Sequence, residues 1–152
     1  MKLAEALILR ADYQKRLAQL NQRLVNNARV QEGELSSEDP QQLLTELDAT
    51  VVQLRQLIQQ INRTNSQTVF QEQRLSDALA ERDTLMLKRN AYNHLVDAAS
   101  LQQNRYSRSE IKFISTVNVA QLQRQVDDLS RCYRELDSQI QAMNWQVDLV
   151  ET

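Results

Sequence analysis

Ten apolar side chains toward the C-terminal end, Val119, Leu122, Val126, Leu129, Tyr133, Leu136, Ile140, Met143, Val147 and Val150, follow one another in steps of three and four without a break. Such spacing puts them on one side of an α-helix but scatters them over both faces of a strand, so only a helix gathers them into one buried seam. The seam predicts a helix over about 119–149, roughly 45 Å long at 1.5 Å per residue, with Asn118 ahead of it as N-cap. A stripe of this length needs another helix to cover it.

The rest of the chain has to supply that cover, and it is poor in the residues that build turns. One glycine and one proline in 152 residues, against average usage of roughly 7% and 5%, exclude a sandwich, a barrel or a doubly wound sheet. Long helices with few connections remain. The second helix is expected over about 40–64, with Asp39 as N-cap and Pro40 in the first turn, where its missing N–H costs nothing. It carries Leu44, Leu47, Val51, Leu54, Ile58 and Ile61 at seam spacing, widened by Leu43 and Leu57. The first helix is read over about 3–29, on Leu3, Ala6, Tyr13, Leu17, Leu20 and Leu24, with Arg10 where the register wants an apolar residue. The third, about 74–99, is less regular, because Arg82 and Arg89 fall close to its stripe. Together these predict a single all-α domain over residues 1–152: four long antiparallel helices in a coiled-coil-like bundle.

Three connections join them. Gln31 to Asp39 holds Gly33 and an acidic cluster, and Asn65 to Arg74 is polar. Ser100 to Asn118 is longer, with Ile111, Phe113, Ser115 and Val117 on alternate positions, so a short β-hairpin or extended loop is expected near 104–117.

Charge and cysteine content narrow the function classes. A net charge of −2 with both signs interspersed leaves no field to condense on phosphate, so nucleic acid is not an expected partner. Cys132 stands alone, which excludes an internal disulfide and any multi-cysteine metal site, and next to the seam it reads as a small buried hydrophobe. The opening MKLAEALILRADYQ is too short and too charged for a secretory leader or a membrane span. A soluble cytoplasmic protein in a reducing compartment is the expectation, without a membrane partner, cofactor or metal.

Several motifs go beyond helical composition: NNARVQEGE followed by EDP and LLTELD, then INRTNSQT, then SRSEIKFISTVNVAQLQRQVDDLS with RELDSQIQAMNW. On them the chain resembles the septicolysin-like family of small bacterial proteins over nearly its whole length. The resemblance implies no catalytic residue, and nothing in the sequence supports the lysis that the family's name suggests.

Two constellations carry candidate chemistry. Arg89 and His94, with Asn90 beside the arginine, resemble the Arg-x4-His signature of small all-α, metal-free RNases of toxin type. His94 is the only histidine, so neutral-pH acid–base chemistry would have to use it. The bland alternative is an exposed histidine near a helix end. Arg105, Arg108 and Lys112 in the long loop could bind an anion or nucleotide, since guanidinium forks take phosphate in bidentate fashion; a solvated loop paired with Glu32 and Glu34 is the bland reading. Arginines at Arg10, Arg82 and Arg89 are expected to find partners across the seam, because a buried unpaired charge costs about 3–5 kcal/mol. Trp145 and Tyr133 are expected in core or interface packing. The leading expectation is a non-enzymatic, self-associating interaction or scaffold protein: Val147 and Val150 would overhang the neighbouring helices and stay wet unless a second copy covered them.

Overall fold

A computed structural model describes residues 1–100 and 111–151. It holds four helices, α1 (Leu3–Asn26), α2 (Pro40–Gln67), α3 (Leu75–Ala99) and α4 (Val119–Gln146), and two short strands, β1 (Val69–Phe70) and β2 (Gln73–Arg74). The protein is all-α with one short antiparallel hairpin, in which Val69 faces Arg74 and Phe70 faces Gln73. That hairpin lies in the second connection, and its loop is turned by Gln71 at φ 55. Strands of two residues leave no alternation to read. Of the stretch 104–117, where a hairpin was expected, residues 111–117 form no strand and the others lie outside the described residues.

The starts of α2 and α4 follow the expected caps, whereas α1 and α4 end three residues earlier and α2 three residues later than expected. Asp39 Oδ1 accepts from the Gln41 amide at 3.0 Å with Pro40 opening α2, and Asn118 Oδ1 accepts from the Gln121 amide at 3.0 Å. Asn27 closes α1 from both sides: its Nδ2 donates to the Arg23 carbonyl at 2.8 Å, and its Oδ1 accepts from the Glu38 amide at 3.0 Å. Gly33, at φ 90, turns the acidic connection where the Glu34 amide donates to the Gln31 carbonyl at 2.9 Å.

Packing groups the chain into two compact units. The first comprises Met1–Arg74 with the stretch from Ala142 onward; the second is Leu75–Gln141. In the first, α1 and α2 run antiparallel. Arg16 reaches Glu46 and Arg23 forks onto Glu38, so advancing along α1 means retreating toward the start of α2. The interior is apolar: Leu3, Ala6, Leu20, Leu43, Leu57, Ile61 and Phe70 are buried.

The buried face of α2 is rotated relative to the sequence reading. Leu44 and Val51 are exposed, whereas Leu43, Thr50, Leu57, Ile61 and Thr64 face inward. Two seam positions are therefore threonines. Each returns its hydroxyl to the carbonyl four residues back, Thr50 to Glu46 and Thr64 to Gln60, both at 2.8 Å, so a β-branched polar residue enters the core with its donor satisfied.

The C-terminal stretch also departs from expectation. Helix α4 stops at Gln146, and the chain returns past the N-terminus: the Leu3 amide donates to the Val147 carbonyl and the Leu149 amide to the Met1 carbonyl, each at 2.9 Å, around a Lys2–Asp148 bridge. Val147 and Val150 are half-buried and Leu149 is buried. They do not overhang, so the burial argument for a second copy fails at those residues. Lys2 Nζ meets Asp148 Oδ1 at 2.8 Å, and that hydrogen bond holds the Asp148 carboxyl below its ordinary range.

In the second unit α3 and α4 also run antiparallel, and arginines fill the gap between them. Arg82 Nη1 lies 3.1 Å from Asp137, and Arg89 Nε donates to Ser130 Oγ at 3.1 Å. Partial burial works against the Arg82 charge, but the hydrogen bonds it donates to the Asp83 and Asp137 carboxylates outweigh it and raise its pKa further. Among the described residues, Arg89 is completed by a hydroxyl and the Asn90 amide oxygen, not by a carboxylate. Arg10, half-buried, keeps contact with solvent and has no ion-pair partner among the described residues. All α4 seam positions from Val119 to Met143 are buried or half-buried. Cys132, in contrast, is exposed, because it lies one residue before Tyr133 and thus off the seam. Trp145 is 56% exposed, so it is not a core residue.

Candidate functional site

Helical geometry separates the first sequence candidate. Arg89 and His94 are five residues apart, so about 140° of rotation divides their directions on α3. Arg89 turns toward α4 and is held by Ser130, whereas His94 is exposed. The chain by itself does not bring the two side chains onto one catalytic face. Of the second candidate, Arg105 and Arg108 lie outside the described residues; Lys112 is described and exposed. Among the described residues no three of His, Cys, Asp and Glu converge as a metal site would require.

The feature with the most chemistry is a cleft within the first unit, which the sequence reading missed. Helix α1 contributes Leu9 and Tyr13, α2 contributes Gln53, Gln56, Leu57, Gln59, Gln60 and Arg63, and the returning tail contributes Leu149 and Glu151, with Met1 at the edge. The concavity measures ≈ 620 Å³, within the roughly 300–1,000 Å³ of clefts that take small ligands. Its apolar floor is set by the buried Leu57 and Leu149 with the half-buried Leu9.

The wall is an edge of α2. Gln53, Gln56, Gln60 and Arg63 step by three, four and three, so they share one side of the helix, next to the face that carries Leu57, Ile61 and Thr64 into the core. Among the described residues, only Gln60 of this row has a side-chain partner within the protein: its Nε2 donates to the Glu151 carbonyl at 3.1 Å. Among the described residues, the Tyr13 hydroxyl, the amides of Gln53, Gln56 and Gln59, and the Arg63 guanidinium make no side-chain hydrogen bond within the protein. A solvated polar face would also present amides, but it would not be concave over an apolar floor. The signal was available in sequence as a Gln/Arg stripe at helical spacing beside an apolar one. What the sequence could not supply was the tail that walls the cleft, which reaches α2 across more than eighty residues of chain.

Residues 10–149 match a family of unknown function, DUF6847. The crystal structure of a functionally unknown conserved protein from Corynebacterium diphtheriae is similar over 99% of both chains, with 44% sequence identity and a TM-score of 0.94. No curated protein matches the chain. With the match spanning most of its length, the chain belongs to the DUF6847 family.

Proposed function

We propose that this member of a family of unknown function is a non-enzymatic binding protein whose cleft in the first unit takes a small polar ligand. The observation that carries the reading is the concavity itself: unspent hydrogen-bonding groups from Tyr13, Gln53, Gln56, Gln59 and Arg63 stand over a leucine floor. Clefts that combine an apolar surface with a few convergent polar groups are where ligands gain both burial and orientation. Recognition is favoured over catalysis because, among the described residues, no histidine, cysteine, serine or lysine lines the cleft, so Ser–His, Cys–His and lysine-based covalent chemistry have no place there. Amide NMR against a chemically broad ligand panel tests this. Saturable changes confined to cleft residues of α1, α2 and the tail are expected; a panel that moves none of them sinks the reading.

Self-association is a second reading, with a different support from the overhang that failed. Ile111, Phe113 and Ile114, just ahead of α4, are 68%, 81% and 86% exposed, an apolar cluster of the kind that a partner surface covers. Sedimentation of the intact protein against a Phe113→Ser, Ile114→Ser variant tests it, and a wild-type chain that stays monomeric at micromolar concentration removes it. Membership of the septicolysin-like group and a cytoplasmic location belong to the same proposal, supported by the motifs and the single free thiol. Among the described residues no helix is long and apolar enough to cross a membrane.

A further inference from the structure

The first unit already binds one stretch of extended main chain. The Val150 amide donates to Thr64 Oγ1 at 3.0 Å, and the Glu151 carbonyl accepts from Gln60 Nε2 at 3.1 Å. From Val150 to Glu151 the tail therefore travels along α2 toward its N-terminal end, read by side chains four residues apart. Gln56 and Gln53 are the next positions of the same row, and their amides are unspent. A carboxamide both donates and accepts, as does each peptide group. We infer that the cleft binds an extended peptide segment running along this edge of α2 beside the tail, its main chain on Gln53 and Gln56, an apolar side chain on the leucine floor and one carboxylate on Arg63. This assignment rests on the cleft being a binding site and names its ligand class.

Length and charge both favour a peptide. Gln53 to Arg63 spans about 15 Å at 1.5 Å per residue, which an extended chain covers in about four to five residues at roughly 3.3 Å each. Among the described residues, Arg63 is the one cationic side chain of the lining, and the Glu151 carboxylate shares the cleft without forming an ion pair to it. One charged side chain of each sign suits a segment with a single carboxylate. A polyphosphate would meet one guanidinium and one like charge among those side chains, a poor complement.

The test uses the intact protein and capped pentapeptides of leucine and alanine carrying one glutamate, each paired with a twin in which glutamine replaces it. A nucleoside triphosphate and a disaccharide serve as probes of other classes. Saturable NMR changes at Gln53, Gln56 and Tyr13 are expected with the peptides, and about tenfold tighter binding of the glutamate member, as a charge-assisted hydrogen bond gives. Arg63→Gln, with helicity checked by circular dichroism, should erase that preference. Equal affinity of the twins for the wild-type protein overturns the Arg63 assignment. Binding of the nucleotide or disaccharide at these residues without peptide binding overturns the peptide class and leaves the cleft reading standing. Silence from every probe overturns both.

Discussion

The two units solve the same sequence problem with different materials. Both pair antiparallel helices whose apolar positions recur at three and four, but the first closes its seam with leucine, isoleucine and self-satisfied threonine, and the second spans part of its seam with arginine. A methyl-filled seam draws on burial, worth about 25 cal/mol per Å² and indifferent to salt. A guanidinium bridge at a partly exposed site gains little net energy and is screened. Heptad spacing thus fixes that helices pair, while the side chains at the seam set what the pairing responds to.

The largest expected effect is in the first unit. Ile61→Ala, at a position only 1% exposed, should cost about 2–5 kcal/mol, read as a fall in urea midpoint. A loss under about 1 kcal/mol would mean that this seam is not what holds the first unit. Next come the threonines. Thr64→Val deprives the Val150 amide of its acceptor and should cost about 1–3 kcal/mol, whereas Thr50→Val, which removes only a back-bonded hydroxyl, should be close to neutral. Equal costs would contradict the link between α2 and the tail.

In the second unit a double-mutant cycle on Arg82→Ala and Asp137→Ala should give a coupling of about 0.5–1 kcal/mol that shrinks with added salt. A salt-independent coupling would erase the contrast between the units. The smallest effect concerns pH. Because Lys2 lowers the Asp148 pKa, that contact contributes fully above the ordinary carboxylate value near 3.8 and is lost as pH falls through the depressed folded value. Protection of the Leu3 and Leu149 amides from exchange, relative to the intrinsic rate at each pH, should fall only at the acid end of that window, and Lys2→Met should remove that pH dependence of protection. Protection already lost at neutral pH would show that the ion pair is not the clamp.

What could be read from the chain divides along the range of the interaction. The caps at Asp39 and Asn118, the proline at the start of α2, the glycine turn at position 33 and the α4 seam as far as Met143 are local, and each appears where its chemistry placed it. The inward face of α2 is not legible from polarity alone, because the Thr50 and Thr64 hydroxyls bond back to their own helix and so enter the core. Cys132 was misplaced by one position, which on a helix is 100° and enough to cross from seam to solvent.

By itself, then, the sequence determined the helices, the caps that open α2 and α4 and the existence of buried seams, since these follow from periodicity and from side chains meeting backbone a few residues away. Only the tertiary structure decided where the tail goes, that Val147 to Val150 is covered within the chain, and that a row of glutamines on α2 becomes the wall of a cleft. The reason is physical: those features depend on hydrogen bonds between groups eighty to nearly one hundred and fifty residues apart in the chain, Thr64 to Val150 and Leu3 to Val147 among them, and no local spacing encodes which distant backbone will satisfy them.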